Sequence, residues 1–88
     1  MGQHFIYIVE CADNTLYTGY TNDVEARIEK HNENKGAKYT RGRTPVKLRY
    51  TESFPTRSQA QKREYQIKQL SRDKKLDLIK EGFGDEAG

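Results

Sequence analysis

Phe5-Ile6-Tyr7-Ile8-Val9-Glu10-Cys11 is the stretch that decides the fold of this chain. It is rich in β-branched and aromatic residues, as is the later segment Thr15-Leu16-Tyr17-Thr18-Gly19-Tyr20, and such residues favour strands. The Asp13-Asn14 pair between them is typical of a turn, so the two segments predict a β-hairpin. The first strand is apolar on both faces, which places it in the middle of a sheet.

Helical patterns and a third strand follow the hairpin. Asn22 and Glu25 form a capping pair for a helix that runs to about Asn32. Between residues 46 and 51, apolar and polar residues alternate, which predicts a strand with Val46, Leu48 and Tyr50 on one face.

Two more helices are predicted towards the end of the chain. Thr56 and Gln59 form a second capping pair, for a helix over about residues 57–70. Ser71 caps a last short helix that Gly82 ends. The prediction is therefore an α/β (α+β) domain: a three-stranded, mostly antiparallel sheet flanked by helices, in the order β-β-α-β-α-α. We assign residues 1–82 to this single domain and residues 83–88 to a disordered tail.

Length and composition narrow the class of protein. A chain of 88 residues with 33% hydrophobic residues supports one small core. Its longest apolar run, Phe5 to Val9, is far shorter than the roughly 20 residues of a membrane span, and the N-terminus lacks the features of a signal peptide. One cysteine and two histidines are too few for a structural zinc site. We expect a cytoplasmic monomer with Cys11 in its core.

The net charge of +3 favours a polyanionic partner. The stretch 35–49 has no acidic residue, and its bases are Lys35, Lys38, Arg41, Arg43, Lys47 and Arg49. Tyr39 lies among these cations, so the loop suits a nucleic-acid backbone and an unstacked base. Charge alone equally allows a solvated loop.

Glu64 lies four residues after Ala60 and three before Ile67, at the margin of the stripe that its helix should bury. A carboxylate there needs a partner or a metal. An ion pair with Lys68 at i+4 is the simpler interpretation, and periodicity favours it. Arg63 has equivalent spacing, so the pattern does not single out Glu64.

Four other side chains could carry chemistry. Tyr7 and Tyr17 lie on successive strands, where aromatic residues are usually core, although a buried hydroxyl needs a partner. Gly19 inside a strand often marks the close approach of another backbone or a ligand. Arg27 and His31 share one face of the first helix and would be solvated in most proteins, yet beside a phosphate they would offer a cationic fork and a proton donor or acceptor.

The order of these residues resembles that of the GIY-YIG family of small nuclease domains. Phe5-Ile6-Tyr7 stands at the first motif and Tyr17-Thr18-Gly19 at the second, with the usual gap of about ten residues. Arg27, His31 and Glu64 fall where the family has its helical and metal-binding residues. Phe5 replaces a glycine and Thr18 an isoleucine of the motifs. The resemblance covers about residues 4–80 and is greatest to small stand-alone bacterial members.

The resemblance implies a nuclease that acts on nucleic acid, DNA more than RNA, with one Mg²⁺ or Mn²⁺ ion at Glu64. Tyr7 or Tyr17 would act on the attacking water, Arg27 would neutralise phosphate charge, and His31 would assist. The backbone contacts would come from Lys35, Lys38, Tyr39, Arg41 and Arg43.

Two other functions fit the same sequence. A binding module with this fold could cleave nothing or await a protein partner that supplies specificity. A protein-interaction domain would leave the basic loop merely solvated.

The resemblance also constrains the hairpin. A two-residue loop of Asp13-Asn14 would put Tyr7 and Tyr17 on opposite faces of the sheet. A three-residue loop of Asp13-Asn14-Thr15, or a bulge, places Cys11 opposite Tyr17 and returns both tyrosines to one face. Since the family's site requires both hydroxyls, we predict the odd loop or the bulge.

Overall fold

The computed structural model describes residues 3–35 and 40–87, and for residues 82–87 it describes the backbone alone. Its elements follow the predicted order: β1 (His4–Glu10), β2 (Leu16–Thr21), α1 (Val24–Asn32), β3 (Lys47–Phe54), α2 (Arg57–Lys68) and α3 (Arg72–Ala87). The strands form one antiparallel sheet in the order β2-β1-β3. The predicted fold class and the central position of β1 are confirmed.

The hairpin turns through three residues, Ala12 to Asn14. The Cys11 amide donates to the Thr15 carbonyl at 2.8 Å, and the Asn14 amide donates to the Cys11 carbonyl at 2.9 Å. Asn14 has φ 69, the left-handed conformation that asparagine tolerates at the last position of such a loop.

The odd loop puts Tyr7 opposite Gly19 and Val9 opposite Tyr17. Both tyrosines therefore lie on one face of the sheet, as predicted. The predicted pairing of Cys11 with Tyr17 is wrong by two residues, because the loop begins at Ala12 and Cys11 pairs with Thr15 instead.

Each face of the sheet carries its own core cluster. The larger cluster joins the sheet to α2 and α3, and its buried members are Ile6, Ile8, Tyr50, Ala60, Ile67 and Ile79. The smaller cluster lies on the opposite face, where Ile28 of α1 packs, and its buried members are Tyr7, Val9, Cys11 and Val46. Cys11 is a core residue, as expected.

A bulge in β3 divides its side chains between the two faces. Ile8 pairs with Tyr50 and Val9 with Leu48, so Arg49 is an extra residue. Leu48 packs against the smaller cluster, whereas Tyr50 belongs to the larger one. The prediction that Leu48 and Tyr50 share a face is therefore wrong.

Side chains cap the first two helices. Asp23 caps α1 by accepting from the Ala26 amide at 3.1 Å, so the predicted cap at Asn22 is wrong by one residue. Thr56 caps α2 by accepting from the Gln59 amide at 3.2 Å, as predicted.

The last helix is longer than the sequence predicted. The Ser71 hydroxyl accepts from the Lys74 amide at 3.3 Å at its start, and the helix passes Gly82 to reach Ala87. Glycine weakens a helix without necessarily ending it, so the predicted stop at Gly82 is wrong. The division into a domain of residues 1–82 and a tail of residues 83–88 stays a prediction. Within the described residues, no helix has the length and apolar character to cross a membrane.

Candidate active site

Tyr7 projects from the central strand and is fully buried. Its ring lies over Gly19 of β2, and a Cβ atom added at Gly19 would be 2.6 Å from Tyr7 Cζ. A backbone or a ligand was expected close to Gly19, but in the structure the Tyr7 side chain lies there instead. A side chain at position 19 would displace this ring.

The Tyr7 hydroxyl meets two polar side chains of α1. Arg27 Nε donates to it at 3.3 Å, and His31 Nε2 lies 2.8 Å away. Burial raises the pKa of Tyr7 from 10.0 to about 12. Tyr7 therefore keeps its proton at neutral pH, donates it to His31 Nε2 and accepts from Arg27. This assignment requires the His31 tautomer that carries its proton on Nδ1.

His31 is fully buried, although a histidine four residues after an arginine on a helix surface is solvated in most proteins. Its Nδ1 lies 2.7 Å from the Thr40 hydroxyl, which is also buried. Burial lowers the pKa of His31, and the nearby Arg27 charge lowers it further, so the ring is neutral at neutral pH. Thr40 could not be identified from the sequence, because its loop has no periodicity that would single out one residue.

Tyr17 completes an aromatic group with Tyr7 and His31. Its ring centroid lies 6.3 Å from that of Tyr7 and 5.6 Å from that of His31. Unlike the other two rings, Tyr17 is partly exposed. The structure thus brings together Tyr7, Tyr17, Arg27 and His31 from three elements.

Glu64 approaches this group from α2. Its negative charge contributes to the raised pKa of Tyr7, although less than burial does. The Lys68 ammonium lies 3.1 Å from the Glu64 carboxylate and 5.9 Å from the centre of the Tyr17 ring. The ion pair that periodicity favoured is therefore present, and it lies beside the tyrosines.

Arg63, which had the same spacing as Glu64, points to the other edge of the sheet. Its Nε and Nη2 atoms donate to the two Glu52 carboxylate oxygens at 2.9 and 3.0 Å. Glu52 also accepts from the buried Tyr50 hydroxyl. This network joins α2 to β3, away from the Tyr7 hydroxyl.

Glu64 is the carboxylate available for a cation at this site. Within the described ranges, no three His, Cys, Asp or Glu side chains are grouped so that they could hold a metal. A cation here would consequently have at most two such side chains as ligands, with water and substrate oxygens completing its coordination. Mg²⁺ is commonly bound in this manner, so the residues fit such an ion.

The basic loop is only partly described, since Lys38 and Tyr39 lie outside the described residues. Lys35 and Arg41 are exposed, and Lys35 Nζ lies 3.9 Å from a Glu33 oxygen. Arg43 forms a 2.6 Å ion pair with Asp13 of the hairpin loop. The end of the loop is therefore attached to the hairpin.

Comparisons with known proteins agree with the fold. The family model described as the GIY-YIG catalytic domain matches residues 3–77. UPF0213 proteins from Staphylococcus aureus strains Mu3 and Mu50 are each 60% identical over 81 residues, which cover 92% of this chain and 99% of the relative.

Two solved structures are also similar. The solution NMR structure of a UPF0213 protein from Bacillus halodurans has 53% identity and a TM-score of 0.57, over 88% of this chain and 82% of that one. The solution NMR structure of a protein from E. faecalis has 41% identity and a TM-score of 0.62, over 91% of this chain and 85% of that one.

Proposed function

This chain belongs to the GIY-YIG family of nuclease domains, and on that premise we propose that it hydrolyses phosphodiester bonds in nucleic acid with one divalent cation. We place DNA ahead of RNA as its substrate. The observation that carries the proposal is the Tyr7 hydroxyl, which is held between Arg27 and His31 with the Glu64 charge nearby. Packing alone does not require three polar groups close to one buried hydroxyl.

Glu64 is the proposed metal ligand. Its side chain is 20% exposed, which leaves it accessible to water and to a substrate phosphate. Mg²⁺ is commonly held by one or two carboxylates together with water and phosphate oxygens, and Mn²⁺ accepts the same ligands. When bound, such an ion would stabilise the negative charge on the leaving oxygen.

We assign different roles to the two tyrosines. Tyr7 is fully buried and its pKa is about 12, so it is a poor base at neutral pH. Its hydrogen bonds suit it to orient Arg27 and His31. Tyr17 is partly exposed, so it is the tyrosine that the attacking water can reach. We therefore propose that Tyr17 is the general base, which accepts a proton from this water as the water attacks the phosphodiester.

Arg27 is the proposed neutraliser of charge on the phosphate. Its Nε is engaged by Tyr7, which fixes the plane of the guanidinium, and the group has further N–H donors for phosphate oxygens. His31 is proposed as a positioning residue rather than an acid, because both of its ring nitrogens already have partners.

The basic loop is the proposed contact to the nucleic-acid backbone. Five residues would contribute, namely Lys35, Lys38, Tyr39, Arg41 and Arg43. The lack of any acidic residue between positions 35 and 49 supports this role.

Replacing the Glu64 carboxylate by an amide tests the proposal. We expect Glu64→Gln to reduce Mg²⁺- or Mn²⁺-dependent cleavage of labelled oligonucleotides by at least about a hundredfold, because it removes the metal ligand. Glu81→Gln, at an exposed position of α3, should cleave like the parent protein. Branched, nicked and single-stranded substrates should be compared.

Three results would be informative in different ways. A folded Glu64→Gln variant that cleaves normally contradicts the metal-ligand assignment. A parent protein that binds nucleic acid with steep salt dependence but never cleaves it supports the alternative of a binding module. A parent protein that does neither contradicts both functions.

A further inference from the structure

Tyr65 is unusual among the tyrosines that the structure describes. Its exposed fraction is 67%, whereas Tyr7 and Tyr50 are buried, and Tyr17 and Tyr20 are partly buried. It directly follows Glu64, the proposed metal ligand. An aromatic ring is thus presented to solvent one residue from the site.

Helix geometry relates Tyr65 to the site through Lys68. Ala60 and Ile67 bury their face of α2 in the larger core cluster. Tyr65 is about 100° around the helix from Glu64, and it faces away from this core. Lys68 is four residues after Glu64 and three after Tyr65, so its side chain neighbours both of them on the helix surface.

The charge of α2 complements a polyanion. The helix has one acidic residue, Glu64, and four basic ones, Arg57, Lys62, Arg63 and Lys68. Arg63 pairs with Glu52, and Lys68 pairs with Glu64 at the rim of the site, where its ammonium also lies 5.9 Å from the Tyr17 ring centre. A phosphate bound near Glu64 would therefore lie beside Lys68, which neighbours Tyr65 on the same helix surface.

We propose that Lys68 and Tyr65 form a subsite for an unpaired nucleotide beside the phosphodiester that is cut. This inference rests on the proposed function and names its substrate class: nucleic acid with a single-stranded segment at the cleavage point. Lys68 binds the flanking phosphate, and the Tyr65 ring stacks on the base. A base inside an intact duplex stacks on its neighbours and cannot offer its face to this ring.

Binding measured without cleavage tests the subsite. Full-length Glu64→Gln protein is titrated in EDTA and at fixed salt with a labelled single-stranded oligonucleotide and with a blunt duplex of equal length. We expect Tyr65→Ala in this background to weaken single-strand binding about tenfold, as loss of one base stack does, and to leave duplex binding within about twofold.

Control variants separate stacking from charge and from folding. Tyr65→Phe keeps the ring and should bind single strands like the background protein, and Gln69→Ala changes the same exposed face without removing a ring. Lys68→Gln should weaken single-strand binding and reduce its salt dependence, because a phosphate contact is lost. Equal melting temperatures would show that the variants are folded.

The outcomes distinguish the subsite from the proposed function. If Tyr65→Ala binds single strands normally, or weakens single strand and duplex equally, the subsite is wrong even when the parent protein cleaves. If single-strand binding depends on Tyr65 but no divalent cation supports cleavage by the parent protein, the subsite stands and the nuclease function fails. If the parent protein binds no oligonucleotide, both proposals are wrong.

Discussion

Lys68 provides a cation for the Glu64 carboxylate before any metal ion binds. The two charged groups are 3.1 Å apart, and the exposed fraction is 46% for the Lys68 side chain and 20% for the Glu64 side chain. A divalent cation on Glu64 would have to separate this ion pair or share the carboxylate with it. The metal affinity of the site should therefore depend on Lys68.

We expect Lys68→Gln to tighten Mn²⁺ binding by up to about fivefold, since an ion pair that remains partly exposed to solvent contributes about 0.2–1 kcal/mol. Isothermal titration calorimetry of the metal-free protein with Mn²⁺ measures this affinity. Lys62→Gln is the matched control, because it removes the same charge from an exposed position of the same helix. Equal effects of the two variants would mean that only net charge matters.

Two residues show which features of the site could not be predicted from the sequence. Glu64 and Arg63 flank the same buried stripe, so spacing could not distinguish them. Their surroundings do, since Arg63 donates to Glu52 of β3, whereas the Glu64 charge is close enough to Tyr7 to raise the pKa of its hydroxyl. Thr40 shows the same limit, because its contact with His31 depends on a loop conformation that no sequence period encodes.

The elements were more predictable than the contacts between them. The two tyrosines on one face follow from an odd hairpin loop, which the family resemblance required and the structure has. The bulge at Arg49 was not predictable, because Leu48 and Tyr50 fit an unbroken alternation. Packing against Ile8 on the partner strand, not the pattern within β3, places Tyr50 in the larger cluster.

Strand β2 contains a buried polar group that lowers the stability of the fold. Thr18 is 2% exposed, and its hydroxyl has no hydrogen-bond partner in the described part of the chain. A buried polar group without a partner costs about 1–3 kcal/mol, so we expect Thr18→Val to increase the free energy of unfolding by about 1 kcal/mol. Urea denaturation followed by circular dichroism measures the change.

Thr21, at the end of the same strand, is the matched control. Its hydroxyl accepts from the Asp23 amide at 3.1 Å and lies 3.2 Å from the Asp23 carbonyl, to which it donates. Thr21→Val should therefore lower the free energy of unfolding by about 1–2 kcal/mol. Two valine substitutions in one strand would change stability in opposite directions, and changes of the same sign would contradict the hydrogen-bond assignment.

At the scale of the whole molecule, the site and the fold depend on the same buried groups. Tyr7 belongs to the smaller core cluster and also holds the α1 side chains. His31 is buried between Tyr7 and Thr40, so α1, the sheet and the loop meet at one imidazole. Protonation of that imidazole should therefore act on the stability of the entire domain.

The dependence of stability on pH gives a final test of this coupling. His31 has a folded pKa below its ordinary value of 6.5, because burial and the Arg27 charge disfavour the protonated ring. The unfolded chain therefore binds this proton first as the pH falls below 6.5. Above pH 6.5 the contribution of His31 to stability is complete, and it declines from there down to the folded pKa.

The slope caused by His31 is at most about 1.4 kcal/mol per pH unit. We expect urea denaturation between pH 5 and 6.5, above the range in which most carboxylates titrate, to show this slope in the parent protein. His4→Gln should keep the slope, and His31→Gln should remove it, whatever its effect on absolute stability. Retention of the acid slope in His31→Gln would show that this imidazole does not couple the site to folding.

On the alkaline side the sign of the slope reverses. Burial raises the pKa of Tyr7 and Tyr50 in the folded protein to about 12, against 10.0 in the unfolded chain. The unfolded chain therefore loses these protons first, so the free energy of unfolding should fall from pH 10 upwards.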